Sequence, residues 1–240
     1  LSHYSTQGIL DVPEATRKFG QILKNPKEAE VMRQERVIKD REKTPINVRT
    51  CLLPDLSGSM VSCLEGLRDN VIALAAAGAT LCQIHRHKQS GVVSELAVYG
   101  FETKLHEILE PRPDASLVDV AEAYQRIAAM GGTNEHLALE HVLKMLPEFT
   151  KRDIRRGGAD NVINLVLSLT DGDTTSSQRS IAAKNRLLEA GCEPFGIFLG
   201  SSGMAGVTFQ EIWGDRGYAI RSVEELPARI HEILRRLSRR

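Results

Sequence analysis

The chain has 240 residues, of which 42% are apolar and 26% are charged, and its formal net charge is zero. This length and composition suit one α/β domain with a full core, and zero net charge argues against a nucleic-acid partner bound by bulk electrostatics. The longest apolar stretch, residues 71–82, is too short to cross a bilayer, so no membrane partner is expected.

Residues 1–44 differ from the rest and are predicted to be a charged N-terminal extension of a domain formed by residues 45–240. Residues 24–43 are dense in Lys, Arg and Glu, with only a thin stripe of apolar side chains. This pattern predicts a solvated helix that ends near Pro45. A helix lying on the domain surface, a linker from an upstream region and a partner-binding helix are the open alternatives.

A regular α/β pattern begins near Ile46. Val48–Leu53 is a nearly continuous apolar run of strand length, which is typical of a parallel strand covered on both faces. Pro54 has no N–H to donate, so we expect the pairing of this strand to finish at Leu53 on that side. From Val61 to residue 81, apolar residues recur every three or four positions and predict a long amphipathic helix.

The later elements are predicted from the same two periodicities and from turn residues. In chain order they are a hairpin of strands 94–101 and 105–109, helices 116–130 and 134–148, a polar loop 151–160, a strand 162–169, a helix 177–190, a strand 194–199, a Gly/Ser loop 200–206, a short helix 208–213, a strand 218–221 and a final helix 223–237. The order predicts an α/β fold with three layers, a doubly wound and mostly parallel central sheet, one antiparallel edge strand and helices on both faces.

The four cysteines lie far apart and lack the CxxC spacing of metal or redox sites; they are Cys51, Cys63, Cys82 and Cys192. Buried free thiols are therefore expected, which fits a reducing compartment. Residues 1–30 lack the basic start and apolar core of a signal peptide, so a cytoplasmic location is expected. Because the chain starts with Leu1 rather than Met, a processed or truncated beginning stays open.

Three predicted turns carry carboxylates and hydroxyls. Asp55, Ser57 and Ser59 follow the first strand, Thr133 lies in a Gly-Gly-Thr turn, and Asp171 follows the strand 162–169. If the first strand runs upward, the order of elements brings all three turns to the top of the sheet, where open α/β sheets place ligands. Two carboxylates and three hydroxyls suit a hard divalent cation held by oxygen alone.

The pattern Asp-x-Ser-x-Ser, then a distant Thr and a distant Asp, resembles the metal-ion-dependent adhesion site (MIDAS) of the von Willebrand factor A (vWA) family. All five positions are present in order, as Asp55, Ser57, Ser59, Thr133 and Asp171. The resemblance implies a Rossmann-like vWA fold and a bound Mg²⁺, or Mn²⁺ or Ca²⁺ in its place. It implies that the two serines are direct ligands, that the threonine binds when a partner is present, and that the aspartates balance the charge directly or through water.

The resemblance also implies a binding module rather than an enzyme. In such a module, a partner protein supplies an Asp or Glu side chain to the open coordination position of the metal. Intracellular members of the family often work beside AAA+ ATPases, so an adaptor role for such an ATPase is implied by the resemblance alone.

Two alternative functions stay open. A phosphatase of the haloacid dehalogenase type also places an Asp after its first strand and an acidic pair after a later one, like Asp171 and Asp173, but here Ser57 occupies the position of its general acid. A vWA scaffold that binds proteins without metal is the other alternative. Each motif alone also has a simpler explanation, since Asp55 and Ser59 can cap the following helix and Asp171 can belong to a turn.

Overall fold

The computed structural model describes residues 9–10, 32–33, 47–61, 94–111, 131–155, 162–172, 174–200 and 204–237. Strands β1 (Ile9–Leu10) and β2 (Met32–Arg33) form a small antiparallel sheet. The other described strands form a six-stranded sheet: β3 (Asn47–Pro54), β4 (Ser94–Phe101), β5 (Leu105–Leu109), β6 (Val162–Thr170), β7 (Glu193–Leu199) and β8 (Gly217–Ile220).

The six-stranded sheet is mostly parallel. Its order is β5-β4-β3-β6-β7-β8, and every neighbouring pair is parallel except β4 and β5. Those two strands form the antiparallel hairpin at one edge, with the bounds that the sequence predicts. Strands β3 and β6 lie side by side in the middle, so both carry apolar residues on both faces. The predicted fold class is confirmed.

The described helices cover both faces of this sheet. They are α1 (Glu135–Arg155), α2 (Ser177–Glu189), α3 (Met204–Trp213) and α4 (Leu226–Leu237). Side chains alternate along β3, so Leu52 belongs to the apolar cluster that contains Ile230 and Ile233 of α4, and Leu53 belongs to the cluster under α1, α2 and α3. Among the described residues, none of the helices combines the length and apolar character needed to cross a membrane.

Two helices extend well beyond their predicted bounds, and α4 begins at Leu226 rather than at Val223, where Val223–Glu225 form a 3₁₀ turn. Helix α1 runs to Arg155, although a polar loop is predicted from Lys151, because Phe149 and Asp153 in its last turns are buried against the sheet. Helix α3 is predicted to begin at Thr208, after a Gly/Ser loop, but it begins at Met204. In both cases tertiary packing extends a helix through residues whose local sequence favours a loop.

Several predictions fall on residues that the structure does not describe. The helix predicted from Val61 is described only at Val61, and the helix 116–130 and Ser201–Gly203 lie outside the described residues. In the N-terminal extension, the predicted helix is wrong at Met32 and Arg33, which pair with β1 as a strand. A helix with so thin an apolar stripe has little to bury, whereas a ladder pairs the backbone groups of these residues.

Pro54 interrupts one ladder of β3 but does not end the strand. On the β6 side, pairing continues to Pro54, and the N–H of Asp55 donates to the carbonyl of Leu169 over 2.8 Å. On the β4 side, which the proline nitrogen faces, the register stops at Leu52 and resumes when the N–H of Leu56 donates to Phe101 over 2.8 Å. The interruption expected at Pro54 therefore affects the pairing with β4 alone, because β4 is the neighbour to which an N–H at position 54 would donate.

A buried ion network holds the end of the sheet opposite Asp55. Arg49 of β3 is fully buried; its Nε lies 2.9 Å from Glu95 of β4, and its Nη2 lies 2.5 Å from Asp153 of α1. Its Nη1 donates to Asn164 of β6 over 3.1 Å, and its guanidinium lies 4.5 Å from the ring centre of Phe149. These contacts fix the last turns of α1 to three strands.

Candidate metal centre

Asp55 and Asp171 leave the same edge of the sheet. Asp55 follows β3 directly and Asp171 follows β6 directly, and these strands are parallel neighbours. The carboxyl ends of adjacent parallel strands lie together, which is where open α/β sheets bind ligands. Accordingly, the charge of Asp171 acts on the carboxyl of Asp55 and raises its pKa.

The turn after β3 brings two serine hydroxyls together. The Oγ atoms of Ser57 and Ser59 lie 3.0 Å apart, and a short 3₁₀ turn follows at Gly58–Met60. The backbone N–H of Ser57 donates to Oδ1 of Asp55 over 2.8 Å. Ser57 is buried and Ser59 is exposed, so this turn reaches from the end of the strand to the surface.

The Asp55 carboxyl is buried, with an exposed fraction of 0%, and it is held from two sides. Besides the Ser57 N–H, the hydroxyl of Thr170 donates to its Oδ2 over 2.7 Å, and Thr170 Oγ1 in turn accepts from the N–H of Gly172 over 3.0 Å. Burial raises the pKa of Asp55 to about 6, although these hydrogen bonds oppose the shift. A buried carboxylate with incomplete charge compensation favours a nearby cation.

The Thr133 loop lies against the serine turn and is held by its neighbours. The N–H of Gly58 donates to the carbonyl of Gly131 over 3.3 Å, and Gly131 has φ +84°, which glycine adopts without strain. The carbonyl of Thr133 accepts from the N–H and the hydroxyl of Thr175, over 2.9 Å and 2.7 Å. On its other side, the N–H of Asn134 donates to the carbonyl of Glu102 at the hairpin turn, over 2.9 Å.

The structure therefore brings the turns of Asp55, Ser57, Ser59, Thr133 and Asp171 to one edge of the sheet. Near this edge, the hydroxyl of Thr174 lies 3.4 Å from the Thr133 carbonyl, whereas Asp173 lies outside the described residues. His136, which follows the Thr133 loop in α1, is buried, with an exposed fraction of 6%.

Two supporting residues are not predicted from the sequence. Thr170, which orients the Asp55 carboxyl, reads as the last residue of an apolar strand. Glu135 is buried at the start of α1, where it reads as an ordinary acidic residue of a first helical turn. The position of Thr170 directly before Asp171 could have identified it from the sequence. Strand β6 is a parallel neighbour of β3, so its last residue, Thr170, lies beside Asp55, the residue that follows β3.

The donor set suits a hard cation. Among the described residues, no three His, Cys, Asp or Glu side chains gather into a group that could hold a metal ion. The candidate centre instead combines two carboxylates with three hydroxyls, which is an oxygen-only set of the kind that Mg²⁺, Mn²⁺ and Ca²⁺ accept. The residues present thus fit a divalent cation, and their five oxygens would leave a six-coordinate ion one open position.

No family model and no curated protein matches the sequence. Solved structures do share its fold. The manganese-loaded TRAP protein of Plasmodium vivax aligns with TM-score 0.52 and 18% identity, covering 76% of this chain and 71% of that one. Proximal thread matrix protein 1 from the mussel byssus, with a zinc-occupied MIDAS motif, aligns with TM-score 0.56 and 14% identity, covering 78% of this chain and 45% of that one.

A third similar structure is the vWF domain of the type V pili tip protein Mfa5 from Porphyromonas gingivalis. It aligns with TM-score 0.58 and 8% identity, covering 82% of this chain and 96% of that domain. The chain spans less than half of the mussel protein but nearly all of the Mfa5 domain. At these identities the likeness concerns the fold, which is that of a vWA domain.

Proposed function

We propose that this chain is a divalent-metal-dependent protein-interaction module whose metal is held by Asp55, Ser57, Ser59, Thr133 and Asp171. One observation carries the proposal: two serine hydroxyls 3.0 Å apart adjoin a buried carboxyl at the carboxyl end of a central strand. The similar folds whose structures hold manganese or zinc support a divalent ion in general. Mg²⁺ is the ion we propose, with Mn²⁺ or Ca²⁺ as substitutes.

The proposed ion would supply a positive charge with an open coordination position to an acidic side chain of a partner. Ser57 and Ser59 offer neutral oxygens, and Asp55 and Asp171 together carry the two negative charges that balance the ion. Thr133 is carried on a loop that begins with two glycines, so its hydroxyl can adjust when the partner arrives. A partner Asp or Glu fills the coordination position that the five protein oxygens leave open.

Exposed basic residues beside the centre support an acidic partner. Lys104 lies on the hairpin turn that bonds Asn134, and Arg179 lies in the first turn of α2, just after the segment that bonds Thr133. The Glu102 carboxyl of the hairpin turn is buried; it accepts from the backbone N–H of Thr103 over 2.5 Å and lies 3.1 Å from Nε2 of His106. Positive charges around a metal steer an acidic surface towards it.

The phosphatase alternative lacks a general acid in the described centre. Two residues after Asp55, Ser57 uses its N–H to bond Asp55 and places its hydroxyl against Ser59. If Asp55 were a nucleophile, aryl phosphates would be hydrolysed and the activity would vanish in Asp55→Asn. We expect no such hydrolysis, and finding it would overturn the binding-module proposal.

The effect of Mg²⁺ on the melting temperature distinguishes the leading proposal from a scaffold that binds proteins without metal. Mg²⁺ should raise the melting temperature of the wild type, since a ligand that binds only the folded state stabilises it. Asp171→Ala should lose this rise, whereas Asp215→Ala, which removes a carboxylate that is 84% exposed and lies beyond α3, should keep it. A capture experiment with and without EDTA then tests whether the partner needs the metal. Partner binding that EDTA leaves unchanged would favour the scaffold.

The proposal also includes a cellular setting. Cys51 and Cys192 are buried free thiols in the described part of the chain, which suits the cytoplasmic location expected from the sequence. An AAA+ ATPase as the partner rests on the family resemblance alone. Mass spectrometry of proteins captured with Mg²⁺ and released by EDTA would test both.

A further inference from the structure

Glu135 is a buried carboxylic acid two residues beyond Thr133. It is the first residue of α1, and its exposed fraction is 1%. Burying a carboxyl is costly unless hydrogen bonds compensate, so its contacts show what its position requires.

The Oε1 atom of Glu135 accepts two hydrogen bonds from other elements. The hydroxyl of Ser168 in β6 donates to it over 2.6 Å, and Nε1 of Trp213 at the end of α3 donates over 3.2 Å. A single acceptor atom therefore ties the start of α1 to a central strand and to a second helix.

Both donors are themselves held firmly. Ser168 is fully buried in β6, two residues before Thr170, which bonds the Asp55 carboxyl. The Trp213 ring packs directly on the backbone of β7, since a Cβ on Gly196 would lie 2.5 Å from its ring atoms. The contacts of Glu135 thus fix the carboxyl end of the Thr133 loop to rigid parts of the fold, while the other end bonds the serine turn through the Gly131 carbonyl.

We propose that Glu135 is a positioning residue that holds Thr133 at the metal site through the two hydrogen bonds accepted by Oε1. The inference rests on the proposed function, because it concerns the same site. A residue that orients a metal ligand contributes to affinity without touching the metal, and losing such a residue typically weakens binding by about 10- to 100-fold.

The test compares three variants in Mn²⁺ calorimetry with acetate present, since Thr133 is expected to bind the metal when a carboxylate fills the open position. Glu135→Ala and Glu135→Gln both remove the carboxyl group, but only Gln keeps an oxygen that can accept from Ser168 and Trp213. We expect Ala to weaken Mn²⁺ binding by about tenfold more than Gln does. Val142→Ala is the matched control, since Val142 is fully buried in the same helix farther from the loop; it should lose stability and keep the affinity of the wild type.

Urea unfolding, followed by the emission of Trp213, the only tryptophan in the sequence, measures the stability of each variant. Ser168→Ala removes one donor and leaves Glu135 in place, so it should weaken Mn²⁺ binding less than Glu135→Ala does. If Glu135→Ala does not fold, the Mn²⁺ affinity of Ser168→Ala tests the proposal instead. The role of Glu135 would be overturned, with the proposed function intact, if the Ala and Gln variants bound Mn²⁺ equally well. The same conclusion would follow if Val142→Ala lost as much Mn²⁺ affinity as Glu135→Ala. If the wild type fails to bind Mn²⁺, the proposed function falls and this inference falls with it.

Discussion

Replacing Asp55 by Asn should stabilise the metal-free protein. The carboxyl is fully buried, and its pKa is raised from 3.8 to about 6. A carboxyl whose pKa is higher in the folded state binds protons more tightly there than in the unfolded chain. Stability therefore falls as pH rises from 3.8 to about 6, and the full penalty remains at neutral pH.

The size of this penalty follows from the shift. The difference between 3.8 and about 6 corresponds to about 3 kcal/mol of unfolding free energy at neutral pH. Asn keeps an oxygen that can accept from the Ser57 N–H. Its NH₂ group, however, would face the Thr170 hydroxyl, which donates to Asp55 in the wild type and already accepts from Gly172, so two donors would meet. We expect this mismatch to cost about 1 kcal/mol. We expect a net gain of about 2 kcal/mol, or about 4–8 °C in melting temperature for a chain of this length.

Metal should reverse the order of the two proteins. The wild type gains about 2.7 kcal/mol at a Mg²⁺ concentration of 100 Kd, whereas Asp55→Asn should gain little, so their stabilities should cross near 30 Kd. Thermal and urea unfolding in EDTA and across a Mg²⁺ titration, at neutral pH and again near pH 4, would measure this. Lower stability of Asp55→Asn in EDTA at neutral pH, or equal stabilisation of both proteins by Mg²⁺, would refute the reasoning.

Three other substitutions test separate parts of the molecule. Mg²⁺ and the captured partner should each raise the protein's affinity for the other, and Thr133→Ala should weaken this coupling more than it weakens Mg²⁺ binding alone. Calorimetry of Mg²⁺ with and without the partner measures both, and unchanged coupling would mean that Thr133 is a turn residue only. Arg49→Met should lower the free energy of unfolding by about 3–5 kcal/mol, because it removes the guanidinium that pairs with two buried carboxylates, and should leave Mg²⁺ affinity unchanged. Lys104→Glu combined with Arg179→Glu should slow partner association by about tenfold at low salt in stopped-flow experiments, with Mg²⁺ affinity altered far less; an unchanged rate would exclude steering by these charges.

The fold could be predicted largely because its strands have strong local signals. Val162–Thr170 is mostly apolar along both of its faces, and the hairpin strands are separated by a three-residue polar turn. The end of α1 could not be predicted, since its last turns persist through Phe149 and Asp153, which are buried by residues distant in sequence. A local pattern carries no information about such contacts.

The candidate site divides in the same way. The proposed ligands lie in a recognisable spacing after strands and glycines, so their sequence positions were sufficient to propose them. Their supports were not predictable. Thr170 and Glu135 act through partners 115 and 33 residues away, and neither has a local motif that distinguishes it from an ordinary strand or helix residue. Arg49, a charged residue within an apolar run, is likewise explained only once Glu95 and Asp153 are brought beside it.

Helix α1 is attached at both ends, and this restricts the movement that a partner can cause. Glu135 fixes its first turn and Asp153 its last, about 27 Å apart along the axis. Sliding the helix would break a buried ion pair at a cost of about 3–5 kcal/mol, so adjustment is expected in residues 131–134 alone. Short loops rearrange in nanoseconds to microseconds. We therefore expect relaxation kinetics without a slow conformational phase, in which the lifetime of the complex is set by the departure of the partner's acid from the metal.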